Sequence, residues 1–383
     1  MIGLWMNVER LFVLNPHQRF FGLFSCFIYQ GLLYLKINSK IQSIMTNSSL
    51  KSFIGVAMVM MMLALSSCSQ QKDTTMPANK KEVMDRFVAG TLPASYTPAA
   101  FFAHFGSSQK EGEAAVQAHL QFFLETNQDI LKVQFEQSAP RIASLDEDAE
   151  WMPEDFYRPT LEIIKRIQEI AGSDVYVLPT IYNAFQVARQ SLGEARIVEA
   201  AKNQPEKLKS VLDSHKKALL WLIRECKAAG IQGFYMAHQG GEKKFYSIPD
   251  FFEIFVRPYD MEVMGECTKN TRMNILHICD WEGTFDDLTR FKDYPGQIVN
   301  TPKSLDGKPF TLEDGYKLFG RPVLGGFDRE GDILKVTPEK VAEMTRDFLS
   351  KEPVGHVMVG ADCTVSSAPH ANIHAAVATA HCH

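Results

Sequence analysis

Between Thr97 and His383, short apolar runs rich in β-branched or aromatic residues alternate with longer amphipathic stretches. That alternation marks βα units, which bury both kinds of element only as a parallel sheet covered by helices. Eight runs read as strands: Phe101–Gly106, Asp129–Phe135, Asp174–Thr180, Gly233–Gln239, Asn274–Asp280, Gln297–Thr301, Pro322–Phe327 and His356–Cys363. Helical stretches fall between them, among them Glu111–Thr126, Thr160–Ala171, Pro205–Ala229, Pro249–Thr268 and Pro338–Ser350, several opened by a proline suited to a first turn. Eight such units in one domain predict an α/β fold of the (β/α)₈ TIM-barrel type rather than an open doubly wound sheet. No fixed-period repeat is visible, so count and order carry this expectation.

The N-terminal part has another character. Residues 1–44 are apolar and aromatic with little charge, and read most simply as a spurious N-terminal extension, with Met45 as the true start, the rival being a real upstream membrane segment. Lys51 precedes an apolar stretch from Phe53 to Leu65, the layout of an export signal over 45–67 and too short for a comfortable membrane span. It ends in Leu65-Ser66-Ser67-Cys68, which resembles the bacterial lipobox. That resemblance implies lipidation of Cys68, a membrane-anchored exported lipoprotein on the periplasmic side or cell surface, and a polar tether over 68–96. The domain is expected to span 97–383. A formal charge of −5 on 383 residues, without a basic run, excludes an electrostatic nucleic-acid surface. The 7 cysteines are too sparse for a disulfide scaffold.

In a TIM barrel, function sits where the strands end. The expected strand ends here gather His104, Gln134, Glu136, Tyr182, His238, Gln239, His277, Cys279, Asp280, Asn300, Asp328, Asp362 and Cys363. His104, Gln134, His238, Asn300 and Asp328 are expected to line a substrate pocket, with Gln239 among the catalytic groups. In Leu276-His277-Ile278-Cys279-Asp280 the two potential ligands are two residues apart, so a strand turns both to one face; Cys363 from the last strand completes a His-Cys-Cys set. Imidazole and two thiolates suit Zn²⁺ and leave a fourth position open, the catalytic pattern. The tail histidines His370, His374 and His381 lack the glutamate of a metalloprotease helix and read as ordinary helix residues.

From about Thr97 to Ala378 the chain resembles the uroporphyrinogen decarboxylase superfamily. The likeness lies in the Asp129–Glu136 run, in Leu178-Pro179-Thr180-Ile181-Tyr182-Asn183, in His238-Gln239-Gly240-Gly241, in Arg257-Pro258-Tyr259 and in Asn274–Asp280. His277-x-Cys279 with a distant Cys363 is similar to the zinc motif of methylcobamide:coenzyme M methyltransferases, and more loosely to that of cobalamin-independent methionine synthase. The resemblance implies a barrel of that type whose zinc presents a substrate thiolate to a methyl donor, with a corrinoid or a corrinoid protein as partner. It also places Glu136 near the superfamily's catalytic carboxylate and Tyr182 near an active-site tyrosine. Decarboxylation of a tetrapyrrole is the alternative within the superfamily, but the expected first strand lacks the arginines that hold substrate carboxylates there. A surface-tethered barrel that binds a tetrapyrrole, corrinoid or other small molecule without turnover is the alternative outside enzymology.

Overall fold

The structure, a computed structural model, describes residues 76–148, 153–352 and 355–382. Cys68 and the expected extension and export signal lie outside the described residues. Seven strands form one curled parallel sheet: β1 Ile130–Val133, β2 Tyr176–Tyr182, β3 Gly233–His238, β4 Met273–Ile278, β5 Ile298–Asn300, β6 Val323–Phe327 and β7 Val357–Ala361. Each pairs with the next in chain order, the arrangement of a TIM-barrel-like fold.

The expected strand Phe101–Gly106 does not form. Here the backbone donors are taken by side chains instead of a ladder: Phe101 N donates to Gln128 Oε1 (2.7 Å), His104 N to Ser366 Oγ (3.0 Å) and Phe105 N to Glu136 Oε1 (2.9 Å). Sheet-like contacts occur just upstream, where Ala99 makes a parallel bridge to Val359 and its carbonyl accepts from Asp129 N (2.9 Å). That segment therefore lies between β7 and β1. Gly360 permits the approach, since a Cβ there would stand 2.5 Å from the Ala100 carbonyl oxygen.

Alternate residues on each strand fill the interior, among them Tyr235 and Ala237 on β3 and Ile275 on β4, while Phe234, Met236 and Leu276 face the helices. Three helices follow the sequence closely, Gly112–Thr126, Pro205–Ala228 and Pro338–Leu349, while the one expected from Thr160 begins earlier and runs from Pro153 to Ala171, with Pro159 inside it. The stretch from Pro249 divides at Val256 into Phe251–Phe255 and Arg257–Thr268.

Part of the segment read as a tether is a helix, Lys80–Val88, capped by the Asn79 side chain. Its Met84 and Phe87 join the interior cluster and close the end of the sheet opposite the strand C-termini. Burying two such side chains contributes about 1.5–3 kcal/mol each, so the folded unit begins near Lys80 rather than Thr97. Among the described residues no helix is long and apolar enough to cross a membrane.

Candidate metal centre

Strand alternation on β4 turns Ile275, His277 and, one residue past the strand, Cys279 inward. Cys363 lies two residues beyond β7, where the chain has left the sheet. Potential ligand atoms of His277, Cys279 and Cys363 all lie within 4.8 Å of one another, and all three residues are buried. His277 Nε2 is 3.5 Å from Cys363 Sγ. The two thiols share a hydrogen bond and the second ionises against the first, so Cys363 is pulled down, helped by His277, while Cys279 is pushed up. A soft donor set of one imidazole and two thiols, converging without a fourth protein ligand among the described residues, fits Zn²⁺ with one open position.

Two polar clamps hold the sulfurs. Gln239 Nε2 donates to Cys279 Sγ (3.4 Å), and its Oε1 accepts from the Arg189 guanidinium, which fixes the amide. Arg329 Nη1 donates to Asp280 Oδ1 (2.6 Å) and Asp362 Oδ2 (2.9 Å), the neighbours in sequence of Cys279 and Cys363. One guanidinium thus ties the end of β4 to the end of β7, the two strands that supply the sulfurs. Beneath the triad, the Tyr235 ring stacks on His277 at 5.2 Å.

A second row of groups runs up the first strand. Lys132 Nζ donates to Gln134 Oε1, Gln134 Nε2 lies 3.0 Å from His104 Nε2, and His104 Nδ1 lies 3.1 Å from Glu136 Oε2. Lys110 also reaches Glu136, at 3.1 Å. Burial works to raise the Glu136 carboxyl, but hydrogen bonds from His104, Phe105 and Lys110 outweigh it and hold it near 2. Burial pulls the Lys132 ammonium down to about 7, against the sulfurs of Cys363 and Cys279 and the Glu136 carboxylate, which raise it. Tyr182, raised chiefly by burial, feels both sulfurs and Glu136 and so stays a neutral hydroxyl at the same mouth.

Three expected pocket residues stand elsewhere. His238 alternates outward on β3, is 1 % exposed, and lies 3.1 Å from Asp260 Oδ2 in the helix layer. Asn300 is fully buried and spends its amide as a brace, accepting from Tyr235 Oη (2.8 Å) and donating to the Leu324 and Ala361 carbonyls (2.9 and 3.0 Å). Asp328 is a rim residue paired with Lys303 at 2.9 Å. Sequence reasoning gave no role to Tyr235, Arg189, Lys132 or Arg329. The alternation on β3 that turns Tyr235 inward is legible in the sequence; Gln239, Asp280 and Asp362, which hold Arg189 and Arg329, come from remote segments. His381 Nε2, at the other end, donates to Asp129 Oδ2 at 2.8 Å rather than joining a metal site.

No protein family's sequence profile matches the chain, and no curated protein matches it. Among solved structures it is similar to a methyltransferase from Methanosarcina mazei, at 15% identity and a TM-score of 0.64, over 79% of this chain and 98% of that one. It is also similar to a B12-independent methionine synthase from Shewanella sp. W3-18-1, in complex with selenomethionine, at 12% identity and a TM-score of 0.45, over 75% of this chain and 93% of that one. The first likeness shows a shared fold; the second is too loose to add to it.

Proposed function

We propose that this protein is a zinc-dependent methyl or alkyl transferase that activates a small-molecule thiol, built on a complete (β/α)₈ barrel in which the segment around Ala99 takes the eighth strand's place. The observation that carries the reading is the convergence of His277, Cys279 and Cys363 at the strand C-termini, with ligand atoms within 4.8 Å and no fourth protein ligand among the described residues. Zinc held there would lower the pKa of a bound thiol and present it as a thiolate nucleophile.

The chain's own groups would do the rest. Gln239 and Arg329 hold the two ligand sulfurs in place through a hydrogen bond to Cys279 and the Asp280–Asp362 clamp. His104, half-exposed with its ring nitrogens engaged by Glu136 and Gln134, lines the mouth through which the proton given up by the thiol would pass to solvent. Tyr182 supplies a neutral hydroxyl that can orient the second substrate. The methyl donor is a corrinoid, free or on a corrinoid protein, and lipidation at Cys68 holds the enzyme at the membrane as an exported bacterial lipoprotein.

The test is methyl transfer from methylcobalamin to a panel of thiols by the zinc-loaded full chain, with His277→Ala and Cys363→Ser as controls. Transfer that both substitutions abolish supports the reading. A zinc-bearing protein that transfers to no thiol overturns it in favour of a binding barrel.

A further inference from the structure

Lys132 is a buried cation that the reaction outlined above leaves without a task. It is 8 % exposed, lies over the rings of Tyr235 at 4.4 Å and Phe102 at 5.0 Å, and forms no ion pair among the described residues. Negative charge at Cys363, Glu136 and Cys279 nonetheless acts on it and favours its protonated form. A buried ammonium lacking a counter-ion is costly, so packing alone gives no reason for a lysine rather than a methionine here.

Its hydrogen bonds show how it is kept. Glu136 fixes the His104 tautomer with the proton on Nδ1, so His104 Nε2 accepts from the Gln134 amide, and Gln134 Oε1 accepts from Lys132. Every donor in that row points from the interior toward the rim. The row holds Lys132 as a donor, its side chain stacked against the Tyr235 ring that supports His277.

Charge counting at the triad supplies the task. Two thiolates neutralise a divalent ion and a neutral imidazole adds nothing, so a substrate thiolate in the fourth position leaves one excess negative charge. In a buried site that excess is unfavourable unless a cation stands close by. We propose that Lys132 is the counter-charge that lets the triad take an anionic sulfur as its fourth ligand, a positioning residue that makes the site prefer thiolates over neutral donors. This rests on the metal reading above and deepens it.

The experiment uses the full chain in detergent, loaded with Co²⁺, whose visible absorption reports its ligands. 2-Mercaptoethanol and imidazole are titrated separately as an anionic and a neutral probe. Lys132→Met is expected to weaken 2-mercaptoethanol binding about tenfold while leaving imidazole binding within about twofold, since only the charged ligand feels the lost cation. Lys132→Arg is expected to restore the preference. Equal losses for both probes, or none, would overturn the assignment while cobalt uptake by the parent protein still upheld the metal site. A parent protein that takes up no cobalt would overturn both. Should Lys132→Met fail to fold, Lys132→Gln, which can still bond Gln134, replaces it; failure of both marks Lys132 as structural and overturns the assignment.

Discussion

The two ends of the sheet each bury a lysine, and they treat it differently. At the closed end Lys80, 2 % exposed, donates to the Asn127 carbonyl at 2.7 Å and pairs with Asp129 at 3.6 Å. Asp129 also accepts from Tyr96 Oη at 2.7 Å and Ala99 N at 2.8 Å, and His381 Nε2 lies 2.8 Å from it. Every element there is local to the ends of the domain: the helix Lys80–Val88, the lead-in to β1, and the C-terminal helix His370–His381. At the mouth Lys132 meets an amide oxygen and two ring faces. At the closed end the buried ammonium of Lys80 and the carboxylate of Asp129 find their partners within the fold, as a structural network must. The mouth leaves a cation, a conjoined pair of thiols and an imidazole with capacity to spare, which is what a site awaiting ligands looks like.

Breaking the closed end should cost the most stability. Asp129→Ala strands Lys80 in the interior and is expected to lower unfolding free energy by about 3–5 kcal/mol in urea titration. The same carboxylate gives a pH signature. Burial opposes its ionisation, but His381 and Lys80 outweigh that and hold it near 2. An unfolded aspartate titrates near 3.9, so the unfolded chain takes up the proton first as pH falls. The contribution is complete above about pH 4 and is lost as pH drops through about 2, and Asp129→Asn should flatten the stability profile across that window.

At the mouth the expected effects are smaller and fall on ligand binding. Arg329→Gln unties Asp280 from Asp362 and should weaken zinc affinity about 10- to 100-fold in chelator competition, the usual cost of losing such outer support. Gln239→Leu removes one hydrogen bond to Cys279 and should cost about 1 kcal/mol of zinc binding in the same assay. Lys132→Met should leave unfolding free energy unchanged or raise it by about 1 kcal/mol, because an unpaired buried charge is exchanged for an apolar side chain. Destabilisation by Lys132→Met as large as that of Asp129→Ala would erase the contrast between the two ends.

How far the sequence reaches follows the range of the interactions. The strands from Asp129 to Cys363 are legible because local apolar runs and proline or Asn/Thr helix starts decide them, and the inward turn of both His277 and Cys279 follows from the period of two. Applied to β3, that same period turns Tyr235 inward and His238 outward, and weighing position at a strand end above alternation is what misplaced His238. The helix Lys80–Val88 hid in a lysine-rich stretch whose only helical signs are the Asn79 cap and the spacing of Val83, Met84 and Phe87. The strand at Phe101–Gly106 failed because Gln128, Ser366 and Glu136 compete for its backbone, and all three lie in other segments of the chain. Asn300 likewise looks like a pocket residue until the carbonyls of Leu324 and Ala361 are brought against it.

Metal content tests the central claim most directly. The purified full chain should carry about one zinc per molecule, the Asp129→Asn protein should keep it, and His277→Ala and Cys363→Ser should each lose it, as expected of a three-ligand site. A parent protein free of zinc after growth in zinc-replete medium, or triad variants that retain the metal, would contradict the account.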